Sequence, residues 1–115
     1  NNNSVQVQVK TSKFQKNSYY WFDLSKKKMI YSNNTFYILV LYVLPRRTMM
    51  GKRRNYLIIP SMDLKKMIAN KQIASKKNDA DILSIFIYPE DKKWIYKNKG
   101  KTIDMTGYWN NFDII

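Results

Sequence analysis

This sequence predicts an α+β fold, with a mixed β-sheet and one main helix in a single domain covering residues 1–115. The chain has 115 residues, of which 44% are apolar and 15% aromatic, enough for one domain with a hydrophobic core. Short β-prone runs recur along it, whereas helical spacing of apolar residues begins only after residue 60. These two observations favour a sheet with one helix packed against it.

The N-terminal quarter predicts two strands. Residues 5–10 alternate valine with glutamine or lysine, and this period-two alternation is typical of a half-buried strand. We expect the valines to face the core, and Gln8 and Lys10 to lie side by side on the opposite face. Residues 11–18 are polar and indicate a loop, and the aromatic run 19–24 predicts a second strand. Residues 29–31 are a candidate short strand before the turn cluster 32–34.

The most apolar segments, residues 36–44 and 56–59, predict two central strands covered on both faces. Between them lies a loop, residues 45–55, with five positive charges and no acidic residue. The five basic residues of this loop are Arg46, Arg47, Lys52, Arg53 and Arg54.

A helix is predicted next. Ser61 suits the N-cap position, and Asp63 would lie in the first turn, where the helix dipole favours an anion. Leu64 and Met67, with Ile68, form one apolar stripe, and we expect the helix to end between residues 70 and 74.

The C-terminal third predicts more strand. A polar connection, 75–81, leads to a strand at 82–88, a turn at 89–91 and a short strand at 94–96. Residues 97–101 read as a basic turn. Residues 107–115 are expected to fold their apolar side chains back onto the core.

The composition excludes several kinds of site. The chain has no cysteine and no histidine, which rules out disulfides, thiol nucleophiles and histidine-based catalytic or metal sites. Its 21 lysines and arginines against eight acidic residues give a net charge of +13. The positive electrostatic field of such a protein favours a polyanion or an anionic surface as partner. The alternative is a basic composition that reflects an AT-rich genome and has no binding role.

No membrane segment is expected. The longest apolar run, 36–45, has about ten residues, and a helical span needs about 20. The polar N-terminus lacks the apolar region of a signal peptide, so we expect a cytoplasmic protein. Because residue 1 is Asn, we also expect either processing or an origin as the C-terminal portion of a longer polypeptide.

Three segments are candidates for catalysis or binding. Gln8 and Lys10, two apart on a strand, place an amide oxygen that can ligate a divalent metal beside a lysine that can hold water or a phosphate. The alternative is a solvated strand face. Lys13 and Lys16 flank this pair and can follow a phosphate backbone. The basic loop can contact phosphates or guanine edges, and its alternative is a solvated loop on a basic protein. The aromatic run 19–22 can stack on bases, although about half of it should be core.

Four segments together resemble the PD-(D/E)XK nuclease-like superfamily. Residues 5–12 are similar to the strand that carries an acid or Gln, one apolar residue and the catalytic Lys. The runs 36–40 and 56–61 look like the following strand and the next strand-to-helix step, and 108–113 like a Trp-containing terminus. The resemblance implies a restriction-endonuclease-like core and Mg²⁺-dependent hydrolysis of DNA. It implies that Gln8 and Lys10 are catalytic, with Gln8 as a metal ligand.

The sequence departs from that family in its acids. No Asp or Glu precedes Lys10, and the first, Asp23, reads more readily as a surface carboxylate near residues 26–28 than as a metal ligand. The family's helix and first two strands would lie before residue 1. The missing acids would have to come from an upstream part, or from a second chain or homodimer partner. The third possibility is a domain of nuclease fold that has lost catalysis and is kept for binding. The alternatives are therefore a DNA endonuclease, a non-catalytic nucleic-acid-binding module, and a protein-interaction domain.

Overall fold

The computed structural model describes residues 4–13, 18–42 and 54–115, and in these ranges it confirms the α+β fold with a mixed sheet and one main helix. The strands are β1 (Gln6–Lys13), β2 (Tyr20–Ser25), β3 (Thr35–Tyr42), β4 (Arg54–Pro60), β5 (Ser75–Lys76), β6 (Asp79–Glu90), β7 (Lys93–Asn98) and β8 (Lys101–Asp104). The α-helix is α1 (Ser61–Ala69). Short 3₁₀ turns cover Lys26–Lys28, Thr106–Tyr108 and Phe112–Ile114.

The strands form two sheets where the sequence suggests one. In the first sheet the order is β1-β3-β4, with β1 parallel to β3 and β3 antiparallel to β4. In the second, β2, β6, β7 and β8 are antiparallel neighbours, and β5 also pairs with β6. The apolar runs around residues 38 and 58 become β3 and β4, as predicted, and β3 is buried along almost its whole length.

The two sheets face each other across the main core. Leu39 and Leu57 from the first sheet and Leu83 and Trp94 from the second are completely buried in one cluster. The Trp94 ring meets the Tyr20 ring edge-on, with 5.8 Å between centroids. Burial of apolar surface on this scale is the main favourable contribution to folding.

Helix α1 closes one side of this core with Leu64 and Met67, as the apolar stripe predicted. The N-cap prediction for Ser61 is wrong. Its hydroxyl is buried, accepts a hydrogen bond from the Ser32 amide at 3.0 Å and donates one to the Ser32 carbonyl at 2.8 Å. Pro60 takes the N-cap position, because the helix follows β4 directly.

Several predicted boundaries are corrected. β1 continues through residues 11–13, because these pair in register with residues 40–42 of β3. Residues 29–31 form no strand. The connection around residues 79–81 belongs to β6, and the basic turn 97–101 is a tight hairpin between β7 and a further strand, β8.

The valines of β1 do not face the main core, contrary to prediction. Val5, Val7 and Val9 are 45%, 41% and 57% exposed. In the parallel register, Val9 stands beside Ile38 on the outer face of the first sheet, whereas Lys10 stands beside the inward-facing Leu39. The predicted alternation is correct. However, the polar side chains of β1 lie on the same face of the sheet as the main-core residues of β3, and the valines lie on the opposite face.

The C-terminal segment packs against the body of the protein, as predicted for most of its side chains. Trp109 packs against the main core and donates from Nε1 to Oδ1 of Asn55 at 2.9 Å. Tyr108 donates its hydroxyl to Asp63 Oδ2 at 2.8 Å. Burial, followed by this carboxylate contact, raises the pKa of Tyr108 well above its usual range. Phe112 and Ile115 differ from the prediction, because they are 50% and 45% exposed.

Within the described ranges, no helix combines the length and the apolar character needed to cross a bilayer.

Substituting Ser61→Ala should lower the free energy of unfolding by about 1–3 kcal/mol, because it removes two part-buried hydrogen bonds to the Ser32 backbone, each worth about 0.5–1.5 kcal/mol. Chemical denaturation followed by fluorescence measures this decrease. Ser4→Ala, at an exposed position, is the matched control and should change stability little. Equal stability of both variants would contradict the role assigned to Ser61.

Candidate nucleic-acid interface

The structure brings Gln8 and Lys10 to one small cavity at the edge of the first sheet. Both side chains are exposed, and the cavity of about 180 Å³ that they line lies between β1 and the end of β2. Its other lining residues are Leu24, Ser25, Lys28, Met29 and Tyr37. The predicted side-by-side placement of the pair is therefore present, in a cleft and not in a packed interior.

The donors in this cavity do not fit a magnesium ion. Mg²⁺ is usually held through carboxylates, and the lining offers the Gln8 amide together with two ammonium groups, on Lys10 and Lys28. Among residues 4–13, 18–42 and 54–115, no group of three or more His, Cys, Asp or Glu side chains could hold a metal. Catalysis by Gln8 and Lys10, with Gln8 as metal ligand, stays a prediction that requires acids from elsewhere.

Most of the predicted basic contacts lie outside the described residues. This is true of Lys16, Arg46, Arg47, Lys52 and Arg53. The backbone of Lys13 ends β1 opposite Tyr42. Arg54 begins β4, is exposed, and holds its guanidinium carbon 5.4 Å from the centre of the Tyr42 ring.

A second surface combines aromatic rings with lysines, on the outer face of the second sheet. Alternation along β2 sends Tyr20 and Phe22 into the core, so Trp21 points outward and is 41% exposed. Trp21 pairs across the strands with Phe86 of β6, and their ring centroids are 5.5 Å apart. Tyr19, just before β2, joins them. We call the four outward rings, Tyr19, Trp21, Phe86 and Tyr88, the aromatic patch.

Three ring contacts link the four rings of the aromatic patch. Tyr19 meets Phe86 edge-on, with centroids 5.4 Å apart, and lies tilted against Tyr88 at 5.3 Å. Offset and edge-to-face contacts of this kind are the favourable arrangements for aromatic pairs. The patch is therefore one continuous apolar surface that spans two strands.

Four lysines border the patch, and we call them the lysine rim: Lys76, Lys97, Lys99 and Lys101. Lys97 and Lys76 hold their ammonium groups 5.5 Å from the ring centres of Tyr88 and Trp21, respectively. The other two stand at the β7–β8 hairpin and, with Lys97 and three of the rings, line a cavity of about 590 Å³.

The tight β7–β8 hairpin places two of these lysines. Asn98 pairs with Lys101, so only Lys99 and Gly100 form the loop. Both have positive φ, 50° and 79°, which matches the twist of a two-residue hairpin and explains the glycine. Lys99 also donates to the carbonyl of Ser75 at 2.8 Å, which fixes its ammonium group without neutralising it.

Asp23 fixes the position of Trp21 in the aromatic patch. Its carboxylate accepts from Trp21 Nε1 at 2.8 Å and from the Ser84 hydroxyl at 3.1 Å, and lies 3.0 Å from Lys76 Nζ. Desolvation raises the pKa of Asp23, but these hydrogen bonds together outweigh it and hold the pKa below its ordinary value of 3.8. The predicted surface position is correct, although the partner is Lys76 and not residues 26–28.

Asp81 makes the contact that the sequence suggests for Asp23. It accepts from the Ser25 hydroxyl at 2.6 Å and from the Lys27 amide at 2.9 Å. These two hydrogen bonds lower the pKa of Asp81. Both acids therefore hold local structure, and neither lines the cavity of Gln8 and Lys10.

The sequence indicates one strand of the aromatic patch and gives no sign of the rest. Residues 19–22 are candidate stacking residues by their composition, and alternation in β2 decides which two of them are core. Phe86 and Tyr88 give no separate signal, because a run such as 82–88 reads as a buried strand. Their part in the patch depends on the pairing of β6 with β2.

Comparison with protein-family models, with curated proteins and with solved structures found no match to this chain.

Asp23→Asn should destabilise the protein near neutral pH and cease to do so in acid. A carboxylate whose pKa is lowered on folding adds stability above its unfolded pKa, and this stability is lost as the pH falls through the lower, folded value. Denaturation of both proteins from pH 7 down to about 2 measures the difference. A difference that grows toward low pH would contradict the contacts assigned to Asp23.

Proposed function

We propose that this protein binds nucleic acid through the outer face of its second sheet, as a non-catalytic binding module. The observation that carries the proposal is the lysine rim beside a continuous aromatic patch on one open sheet face. Phosphates need cations, and bases offer flat π-surfaces, so a nucleic acid matches both parts at once.

The charges of the rim support a polyanionic partner. Two exposed ion pairs lie at this face, Lys76 with Asp23 and Lys97 with Glu90. Exposed pairs of this kind are worth no more than about 1 kcal/mol, so a phosphate can replace the carboxylate at small cost. The net charge of +13 adds a general attraction that guides a polyanion to the surface.

DNA, the predicted partner, presents the phosphates and bases that this face suits. DNA hydrolysis by Gln8 and Lys10 stays a separate prediction, since the described donors at their cavity do not fit the implied metal. In a protein-interaction role, the aromatic patch and the lysine rim would instead bind an acidic protein. Titration with an oligonucleotide distinguishes that role from nucleic-acid binding. The cytoplasmic location also stays a prediction.

Replacing Lys97, Lys99 and Lys101 together by Gln should weaken binding to a fluorescein-labelled oligonucleotide and flatten its salt dependence. A glutamine neutralises no phosphate and so releases no counterion. The negative slope of log affinity against log salt should therefore become shallower by roughly 2. Fluorescence anisotropy at several salt concentrations measures both quantities.

The matched control replaces Lys65, Lys66 and Lys71 by Gln, which removes the same charge from exposed positions on and just after α1. It should retain most of the affinity and of the slope. Equal weakening in the two triple variants would show attraction by net charge alone and refute this face as the site. Absence of oligonucleotide binding at low salt, with capture of an acidic protein instead, would refute the proposed function.

A further inference from the structure

We infer that the nucleic acid preferred by this protein is single-stranded, with its bases stacked on the aromatic patch, and this inference rests on the proposed function. Bases in a duplex are already stacked on each other and cannot lie flat on a protein ring. Unpaired bases can, and aromatic residues on an open sheet face are a common platform for them.

Trp21 is 41% exposed and the other three rings of the aromatic patch are half-buried, and packing of the main core does not explain why these rings face outward. The inner face of the same sheet is already filled, by Tyr20 and Phe22 from β2 and by Ile85 and Ile87 from β6. Large outward rings therefore add nothing to the main core. An exposed apolar surface that is rimmed by polar groups marks a binding site more often than chance exposure.

The Trp21 ring is held ready for stacking. Its indole donates to Asp23, which also accepts from the Ser84 hydroxyl, and its ring lies tilted against the Phe86 ring. A ring that is already fixed in its bound orientation loses little conformational freedom on binding. A base that lies on Trp21 displaces the Lys76 ammonium from above the ring, and the phosphate of the same nucleotide can then accept from it.

The spacing of the rings suits an extended strand. Tyr19 and Trp21 are two residues apart, about 6.6 Å along a strand, whereas the phosphates of one strand of duplex DNA are spaced about 3.4 Å along the helix axis. Neighbouring nucleotides must therefore unstack from each other to reach successive rings. A flexible single strand can do this, and a duplex cannot without melting.

The lysine rim lies along one side of the rings. Its lysines come from β5, from β7 and from the β7–β8 hairpin, on the opposite side of β6 from β2, and the Lys99 ammonium group contacts the Ser75 carbonyl next to Lys76. The Lys76 ammonium group reaches the Trp21 ring. A strand whose bases lie on the rings can place its phosphates along these cations. A duplex, in contrast, is read by a helix or a two-stranded ribbon that enters its major groove, whereas the rings of the aromatic patch lie on the face of a sheet.

The experiment compares a labelled single strand with the duplex of the same sequence, and with heparin, a polyanion without bases. We expect the single strand to bind at least tenfold more tightly than the duplex. The variants Trp21→Leu and Phe86→Leu keep apolar bulk but remove the ring. Each should weaken single-strand binding by roughly 5- to 100-fold, with an unchanged salt slope.

Phe112→Leu is the matched control, because Phe112 is 50% exposed and lies outside the aromatic patch. Its affinity should equal that of the unaltered protein. Quenching of tryptophan fluorescence by the single strand gives an independent readout. It should largely disappear in Trp21→Leu, since Trp94 is completely buried and Trp109 packs against the main core. Circular dichroism of every variant establishes that it is folded.

The outcomes separate the two proposals. Equal or tighter binding of duplex, or Phe86→Leu behaving like Phe112→Leu, would overturn single-strand stacking and leave the proposed function standing. Heparin binding as tight as the single strand would overturn it in the same way. No binding of either DNA form at low salt would overturn both.

Discussion

The mutual burial of two sheet faces constrains every other feature of this protein. The space between the sheets is filled by large side chains, among them Tyr20, Leu39, Leu57 and Trp94, all almost completely buried. Once these positions are taken, strand alternation leaves every second residue of β2 and β6 on the outside. The aromatic patch is the direct consequence, because those alternate positions also carry rings.

The same constraint separates the two candidate sites. The lysine rim and the aromatic patch belong to the outer face of the second sheet, where strand pairing assembles them from several different strands. Gln8 and Lys10 lie at the opening between β1 and β2, where the first sheet ends. An amide and two lysines can attract a phosphate there, but hydrolysis needs carboxylates that the described residues do not bring to that opening. Binding and catalysis are therefore questions about different surfaces.

Much of the site's composition is visible in the sequence, but its location is not. The positive charge, the candidate stacking residues of β2 and the pairing of Gln8 with Lys10 on one strand face all follow from residue type and period. The predicted facing of β1 is wrong, because an alternating strand shows that two faces differ without showing which is inside. The partner strand β3 is apolar on both sides, so either face of β1 can match it. Local pattern therefore does not determine that the valines lie outward.

Local periodicity and composition are sufficient for an α+β domain with β-prone runs, a single helical stripe and a strong positive charge, because they act through near neighbours in the chain. Only the folded arrangement divides the strands into two facing sheets, brings Phe86 to Trp21 and Tyr88 to Tyr19, and places Lys76, Lys97, Lys99 and Lys101 beside these rings. These contacts join residues up to about eighty positions apart in the chain, from Tyr19 to Lys101. Strand pairing across such distances is selected by the packing of the whole core, which no local pattern contains.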